Sequence, residues 1–406
     1  MNMLLQICLL SNILFVNSLQ CVDESNKPVD WFVGYKIPEI KHDSKLLNTG
    51  VAYVYMTSED YGSWKFSNIS INSTESIIAN TLRGLYSNKK NFTFILYNDQ
   101  PPNRKINKNK GHNKGVVMID KSNTGFWLVH SVPHFPQIGR AYIYPKTGAK
   151  YGQSFLCISM NFINLNKVGI QLQYNEPEIY SKNIDLNLEA SLPELVKVAQ
   201  NVTINNAPWY HVLNLESLNG TLFTSFAKSK NFNKDLYEDL VAPSLGTDLF
   251  VETWLNGAGR LPSNCSKQFK VNNIKSVYIS SANVSFSSTD DHSKWAVTPP
   301  SDSKNWICIG DINRAEHQKV RGGGTVCLNN KQLALDYKKS APGPTGWDGT
   351  FTQASESPDT SGIVEELLMA FAGLLYIILP TVKLRLEEEN WRNLLMQDNI
   401  FKDILV

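Results

Sequence analysis

The sequence carries one short plan twice. In the first half, His112-Asn113-Lys114 is followed by Gly115-Val116-Val117-Met118-Ile119-Asp120, a turn, and Gly125-Phe126-Trp127-Leu128-Val129-His130-Ser131. In the second, His292-Ser293-Lys294 leads into Trp295-Ala296-Val297, a Pro/Ser/Asp turn, and Asn305-Trp306-Ile307-Cys308-Ile309-Gly310-Asp311-Ile312-Asn313. Both copies read as a short strand, a turn and an apolar strand that ends in polar groups. A unit used twice constrains the chain to a duplicated architecture of divergent halves. Strands interleaved with helical segments then predict an α/β fold, with mixed sheets flanked by helices. A boundary between residues 175 and 205 gives each half one His-x-Lys.

Each triplet also carries chemistry. In extended backbone, residues i and i+2 share a face, so each His-x-Lys can aim an imidazole and an ammonium at one point. Two of each around a phosphodiester allow one His to attack phosphorus and the other to protonate the leaving oxygen. The lysines would hold the phosphoryl oxygens. The candidate catalytic residues are therefore His112, Lys114, His292 and Lys294. A single His-x-Lys is more often part of a solvated strand or loop; the pairing and the matching flanks raise its weight.

At 406 residues the chain can fill two domains or one large two-lobed domain. Its formal charge of +2 gives no global signature of a nucleic-acid binder. Local charge differs: Arg104, Lys105, Lys108, Lys110 and Lys114 lie between Asp99 and Asp120 with no acid among them. Such a loop can steer a polyanion toward His112, or be a solvated Asn/Lys loop.

Residues 1–18 read as a secretory signal, with an apolar Leu4–Val16 run and small-residue cleavage near Ser18. Sequons at Asn68, Asn72, Asn91, Asn201, Asn219, Asn264 and Asn283 point the same way. Without Cys8, five cysteines remain, which gives two disulfides and one leftover thiol in an oxidising compartment. Cys308 and Cys327 lie on neighbouring apolar segments and are expected to pair; Cys21–Cys157 would tie the N-terminus to the first half. Their spacing fits no zinc motif, and no metal or other cofactor is expected.

Further expected elements are strands at Trp31–Lys36, Phe92–Tyr97, Phe155–Met160, Leu249–Trp254 and Ser276–Ser280, with helices at Glu75–Ser87, Ser191–Gln200 and Asp235–Val241. The halves are placed at residues 19–185 and 186–338. Residues 339–406 form an atypical tail: a Gly/Pro/Ser-rich linker, then an apolar run from Leu367 to Val382. That run is shorter than a spanning helix needs and contains Pro380, so a membrane anchor, an amphipathic partner helix and sequence foreign to the domain stay open.

Taken together, these stretches resemble the deoxyribonuclease II family of the phospholipase D-like superfamily. The resemblance rests on Pro28-Val29-Asp30-Trp31-Phe32-Val33, Leu96-Tyr97-Asn98-Asp99-Gln100-Pro101-Pro102, Gly111-His112-Asn113-Lys114-Gly115-Val116 and Gly125-Phe126-Trp127-Leu128-Val129-His130-Ser131-Val132-Pro133. It continues through Leu261-Pro262-Ser263-Asn264-Cys265-Ser266, Asp291-His292-Ser293-Lys294-Trp295, Gly310-Asp311-Ile312-Asn313-Arg314 and Arg321-Gly322-Gly323-Gly324-Thr325, in order. It implies a pseudo-dimer of two similar halves with one active site between them. It also implies metal-free hydrolysis of DNA at acid pH through a phosphohistidine, leaving 3′-phosphate and 5′-hydroxyl ends. One His must be neutral and the other charged, which is easiest near or below the imidazole pKa. Ser131 and Asn313, each about 20 residues beyond its His, would bind phosphate or orient a ring. Asp120 would be an imidazole orienter, displaced one step from the superfamily's usual Asp five residues after the Lys; the second half has Pro299 at the usual position.

Family members usually keep a late cysteine to pair with that of Pro-Ser-Asn-Cys, and here Cys265 has none after Cys327. The implied partner is DNA, with a homodimer and membrane contact through Leu367–Val382 open. The implied address is the secretory pathway, lysosomal or extracellular. Competing readings are a secreted DNA-binding or interaction protein of the same fold with impaired catalysis, and a phosphodiesterase acting on RNA or phospholipid.

Overall fold

The computed structural model describes residues 18–341 apart from Asn88. The signal segment before Ser18 and the tail beyond Ala341, with its Leu367–Val382 run, lie outside the described residues. Two large sheets carry the fold. The first has eight strands: β1 (Trp31–Lys36), β2 (Tyr53–Thr57), β3 (Asp60–Phe66), β4 (Thr93–Asn98), β5 (Lys114–Ile119), β6 (Thr124–His130), β7 (Gln153–Asn161) and β8 (Ile179–Asn183). Their spatial order is β8-β4-β5-β6-β7-β1-β2-β3.

The second sheet has seven strands: β9 (Tyr210–Glu216), β10 (Leu222–Lys228), β11 (Leu249–Glu252), β12 (Val271–Asn273), β13 (Trp295–Val297), β14 (Trp306–Gly310) and β15 (Gly323–Asn329). They run β9-β10-β15-β14-β13-β11-β12. The series β4-β5-β6-β7-β1 in one sheet thus matches β11-β13-β14-β15-β10 in the other, antiparallel at every step. The mixed α/β class and the duplication are both present, and the sheets diverge at their edges.

Local chemistry explains the repeated hairpin. Between β5 and β6, Asp120 Oδ1 accepts the Ser122 N–H at 2.8 Å, and Asn123 takes the left-handed conformation that Asn tolerates, with φ 65°. Strand β5 is buried along its whole length, which explains its unbroken apolar run. Between β13 and β14, Pro299 and Pro300 make the turn, and Ala296 stands opposite Cys308. Cys308 in turn stands directly opposite Cys327 on β15, and the two form a disulfide. Cys21–Cys157 forms the other, and Cys265 is free and exposed.

Two helices close the fold across its seam. Helix α1 (Phe162–Asn175) starts at Asn161, whose side chain accepts the Asn164 N–H. It follows β7 yet lies against β9 and β10 of the other sheet, with Gln171 Nε2 donating to the Ser225 carbonyl at 2.8 Å. Helix α2 (Lys331–Ser340) follows β15 and reaches β3 of the first sheet. Its Tyr337 is fully buried, with ring centroids 5.1 Å from Trp64 and 5.0 Å from Trp295.

Several expected elements are shorter than the pattern implied. The Glu75–Ser87 helix is two short helices, Ile77–Thr81 and Arg83–Ser87. Residues 235–241 end in a π-helical turn, Tyr237–Val241. Strand Ser276–Ile279 pairs with Val284–Ser287 outside both large sheets. Among the described residues no helix is long and apolar enough to cross a membrane.

Candidate active site at the seam of the two sheets

The two triplets sit just before or at the start of equivalent strands, β5 and β13, and each is seated by the opposite half. The His112 N–H donates to the Gly322 carbonyl at 2.8 Å, and the His292 N–H to the Gly152 carbonyl at 2.9 Å. Gly322 precedes β15 and Gly152 precedes β7, so the seats correspond in the repeat. Glycine is required at 152, because a Cβ there would collide with the Asp291 carboxylate. The Gly152 N–H also donates to the Asp290 carbonyl at 2.9 Å, and the Ser154 hydroxyl accepts the Lys294 N–H.

The first triplet is held by charge. His112 Nδ1 lies 2.6 Å from the Asp311 carbonyl oxygen. A carbonyl only accepts, so Nδ1 carries the proton and the neutral ring keeps its lone pair on Nε2. Lys114 Nζ pairs with Asp99 Oδ1, both groups being buried. Arg321 Nη2 reaches the other Asp99 oxygen at 3.0 Å. Burial pushes Asp99 up, but Lys114, His112 and Arg321 together hold it far below the usual carboxylate range.

The second triplet is held by rings. His292 stacks on Tyr151 at 4.4 Å and 8°, and meets Trp254 edge-on at 3.9 Å. Its Nε2 is buried without a hydrogen-bond partner among the described residues. Lys294 Nζ donates to the His292 carbonyl and forms no ion pair among those residues. Beneath them, the buried Asp291 carboxylate accepts from the Ser293 hydroxyl at 2.6 Å and from the Tyr35 hydroxyl.

The fields of the two triplets overlap. Burial, Lys114, Arg321 and Lys294 push the His112 imidazole well below its ordinary value, against Asp99. Burial pushes His292 down, and Lys294, Lys114 and Lys36 add to it. Lys294 itself falls to about 7 through burial and repulsion by Lys114. Asp311 rises to about 7, mainly by burial. Both imidazoles are thus buried beside ammonium groups, which favours their neutral forms.

The weaker sequence candidates fall elsewhere. Asp120 is corrected: it lies just past the far end of β5 from His112, six residues or roughly 20 Å along the strand beyond Lys114. Its oxygens accept from Leu19 N at 2.7 Å and from the turn, so it cannot orient that ring. Ser131 donates to Gln153 at 2.6 Å and accepts the Ser154 N–H at 2.9 Å. Asn313 Oδ1 accepts the backbone N–H of Trp254, the residue whose ring meets His292, at 3.3 Å. Asp99, Arg321, Asp311, Tyr151 and Trp254 were missed by sequence reasoning. Asp99 and Arg321 lie inside family-like stretches, but only folding shows what they touch.

Against known proteins, the family model described as deoxyribonuclease II matches residues 20–342. This chain belongs to the deoxyribonuclease II family. It is 40% identical to plancitoxin-1 of Acanthaster planci, covering 78% of this chain and 89% of that protein. It is 37% identical to deoxyribonuclease-2-alpha of Sus scrofa, over 82% and 91% of the two chains. Against deoxyribonuclease-2 of Caenorhabditis elegans it is 38% identical, over 79% and 92%. The match with the deoxyribonuclease II model takes in both triplets, both disulfides and helix α2 up to its end.

Proposed function

We propose that this chain is an acid endodeoxyribonuclease that hydrolyses DNA phosphodiesters without a metal, with His112 and Lys114 from one half and His292 and Lys294 from the other. The observation that carries this reading is the reciprocal seating of the two triplets, which puts two imidazoles and two ammoniums in one another's field. Relatives named deoxyribonuclease-2 that match along most of their length support DNA as the substrate.

His112 is the nucleophile in this reading, because its Nδ1 is tied to the Asp311 carbonyl and Nε2 holds the lone pair. Nε2 attacks phosphorus and a P–N bond forms. The P–O5′ bond breaks, and O5′ takes the proton of His292. Water then attacks the phosphohistidine, giving its proton to the now neutral His292. The P–N bond breaks and a 3′-phosphate leaves. Lys114 and Lys294 balance the charge of the non-bridging oxygens throughout.

An acid optimum follows from the same geometry. Cationic neighbours and burial keep His292 neutral at pH 7 in the free protein, so low pH and the phosphate's charge are both needed to protonate it. His112, also depressed, stays neutral at that pH.

The basic loop of Arg104, Lys105 and Lys108 is exposed and leads to His112, which suits a backbone-tracking surface. Two disulfides and six exposed sequon asparagines fit the secretory pathway, with lysosomal and extracellular destinations equally consistent. Asn264 is the exception, half-buried with Nδ2 donating to Glu238 at 2.7 Å.

The test is plasmid nicking in chelator at about pH 5, below the imidazole pKa. Activity that vanishes in His292→Ala supports the proposal. No activity from folded, secreted protein overturns it, and activity only with magnesium overturns the mechanism.

A further inference from the structure

The two triplets are alike in sequence and unlike in support. Lys294 has no carboxylate partner among the described residues, whereas Lys114 is gripped by one. That carboxylate, Asp99, is 1% exposed and shares its second oxygen with a guanidinium from the other half. Arg321 does more than pair. Its Nε donates to the Lys110 carbonyl at 3.0 Å and its Nη2 to the Gly111 carbonyl at 3.2 Å, the last two residues before His112. The next residue, Gly322, accepts the His112 N–H. One dipeptide of the second half therefore touches the first triplet on three sides: its lysine through Asp99, its approach through two carbonyls, and its histidine through the backbone.

We infer that Asp99 and Arg321 are a positioning pair, which fixes Lys114 and the His112 backbone relative to the second half and so sets the spacing of the two triplets. The inference rests on the proposed site. Neither residue touches the reacting phosphate; they act through Lys114 and His112. A fork-shaped guanidinium suits this role because it can serve a carboxylate and carbonyls at once, which an ammonium on a flexible stem cannot do in the same plane. Displacing a reacting group by about 1 Å can cost on the order of 100-fold in rate, so the pair should show in kcat more than in KM.

The pair also borders the nucleophile electrostatically. The groups facing His112 are Asp99, Lys114, Arg321, Lys294 and Asp311. Asp99 is the acid that favours its protonated form. Removing that charge should move the acid limb of the pH–rate profile, where the nucleophile is lost to protonation, toward lower pH.

The experiment compares the full chain with Asp99→Asn, Arg321→Met, Arg321→Lys, the Asp99→Asn/Arg321→Met double variant, and His292→Ala, by kcat, KM and pH profile on plasmid DNA in chelator. Expected are a kcat loss of about 10- to 100-fold in each of the first two, with KM changed less than about threefold. The double variant should be little worse than either single one, because a unit is broken once. Arg321→Lys should recover part of kcat, and Asp99→Asn should shift the acid limb downward. Folding is read by thermal midpoint; if Asp99→Asn is not secreted folded, Arg321→Met decides, and a native kcat in it overturns the inference. Additive losses, or a kcat within about twofold of native in folded Asp99→Asn with an unmoved acid limb, also overturn it. If His292→Ala keeps activity, the site reading itself fails, which is a different result.

Discussion

The backbone N–H of His292 donates to the carbonyl of Gly152, so the second triplet is anchored by a residue of the first sheet. The mirror bond, His112 N–H to the Gly322 carbonyl, does the same in reverse. Each histidine's backbone is therefore anchored by the opposite half.

Alanine at His112 or His292 should each remove nearly all nicking, by about 1,000-fold or more, since nucleophile and acid act in one step. The double variant should be no worse than the single ones. Initial rates on supercoiled plasmid at acid pH check this, and a His112→Ala protein within tenfold of native would refute its role.

Lys294 is held at about 7, so it carries its charge below that pH and loses it above. The KM for DNA should therefore rise as pH passes through about 7. Lys294→Arg stays charged, and its KM should be flat across the same range whatever happens to kcat. A KM rise identical in native and variant proteins would assign the effect elsewhere.

Neutralising Lys105 and Lys108 to Gln should weaken DNA binding without altering kcat. If each contacts one phosphate, the slope of log KM against log salt should flatten by about 0.9 per residue. An unchanged slope would mean the loop does not follow the DNA backbone.

His130 is fully buried between Phe135 and Phe155, with Nδ1 accepting the Val132 N–H and Nε2 unpaired. Burial, with Lys114, lowers it from 6.5 to about 3. The unfolded chain then binds the proton first, so this group's contribution is complete above about pH 6.5 and shrinks as pH falls toward 3, by about 3 kcal/mol at pH 4. Asp311 works in the opposite direction: raised to about 7, it takes up a proton in the folded state and gains stability as pH falls. In His130→Phe the thermal midpoint should drop less between pH 7 and pH 4 than in the native protein. An equal drop would remove His130 from the account.

Tyr337 fills the space between Trp64 of the first sheet and Trp295 of the second. Tyr337→Ala should cost about 3–5 kcal/mol, read as a lowered thermal or denaturant midpoint. A loss under 1 kcal/mol would mean that helix α2 is not part of the seal.

Much of this was legible in the chain. Strand Trp31–Lys36 has the expected bounds, and the apolar runs after each triplet are strands β5, β6, β13 and β14. The pairings Cys21–Cys157 and Cys308–Cys327 form as expected. Helix α1 was not foreseen, because its Asn- and Gln-rich sequence lacks a clear apolar stripe; its Gln171 and Gln173 are buried on hydrogen bonds rather than apolar contacts. Helix α2 was missed for a related reason, since Lys338 is buried through its stem while its ammonium donates to the Asp302 and Lys304 carbonyls. Strand β9 sits at a sheet edge and alternates between exposed and half-buried residues, with only Leu215 among its residues fully buried, so its apolar signal is weak.

The sequence by itself determined the residue types and the repeat: two His-x-Lys triplets, each ahead of a hairpin whose alternation and turn residues act over a few positions. Which carboxylate serves which lysine was decided by tertiary structure. Asp120, near in sequence, is carried to the far end of β5 by an extended backbone, while Asp99 arrives from a separate segment to pair with Lys114 and is itself held by Arg321 of the other half. Local periodicity records the faces of an element. It does not record which buried charges of two halves meet, because that depends on how the sheets dock and on which groups are then near enough to offset the cost of removing a charge from water.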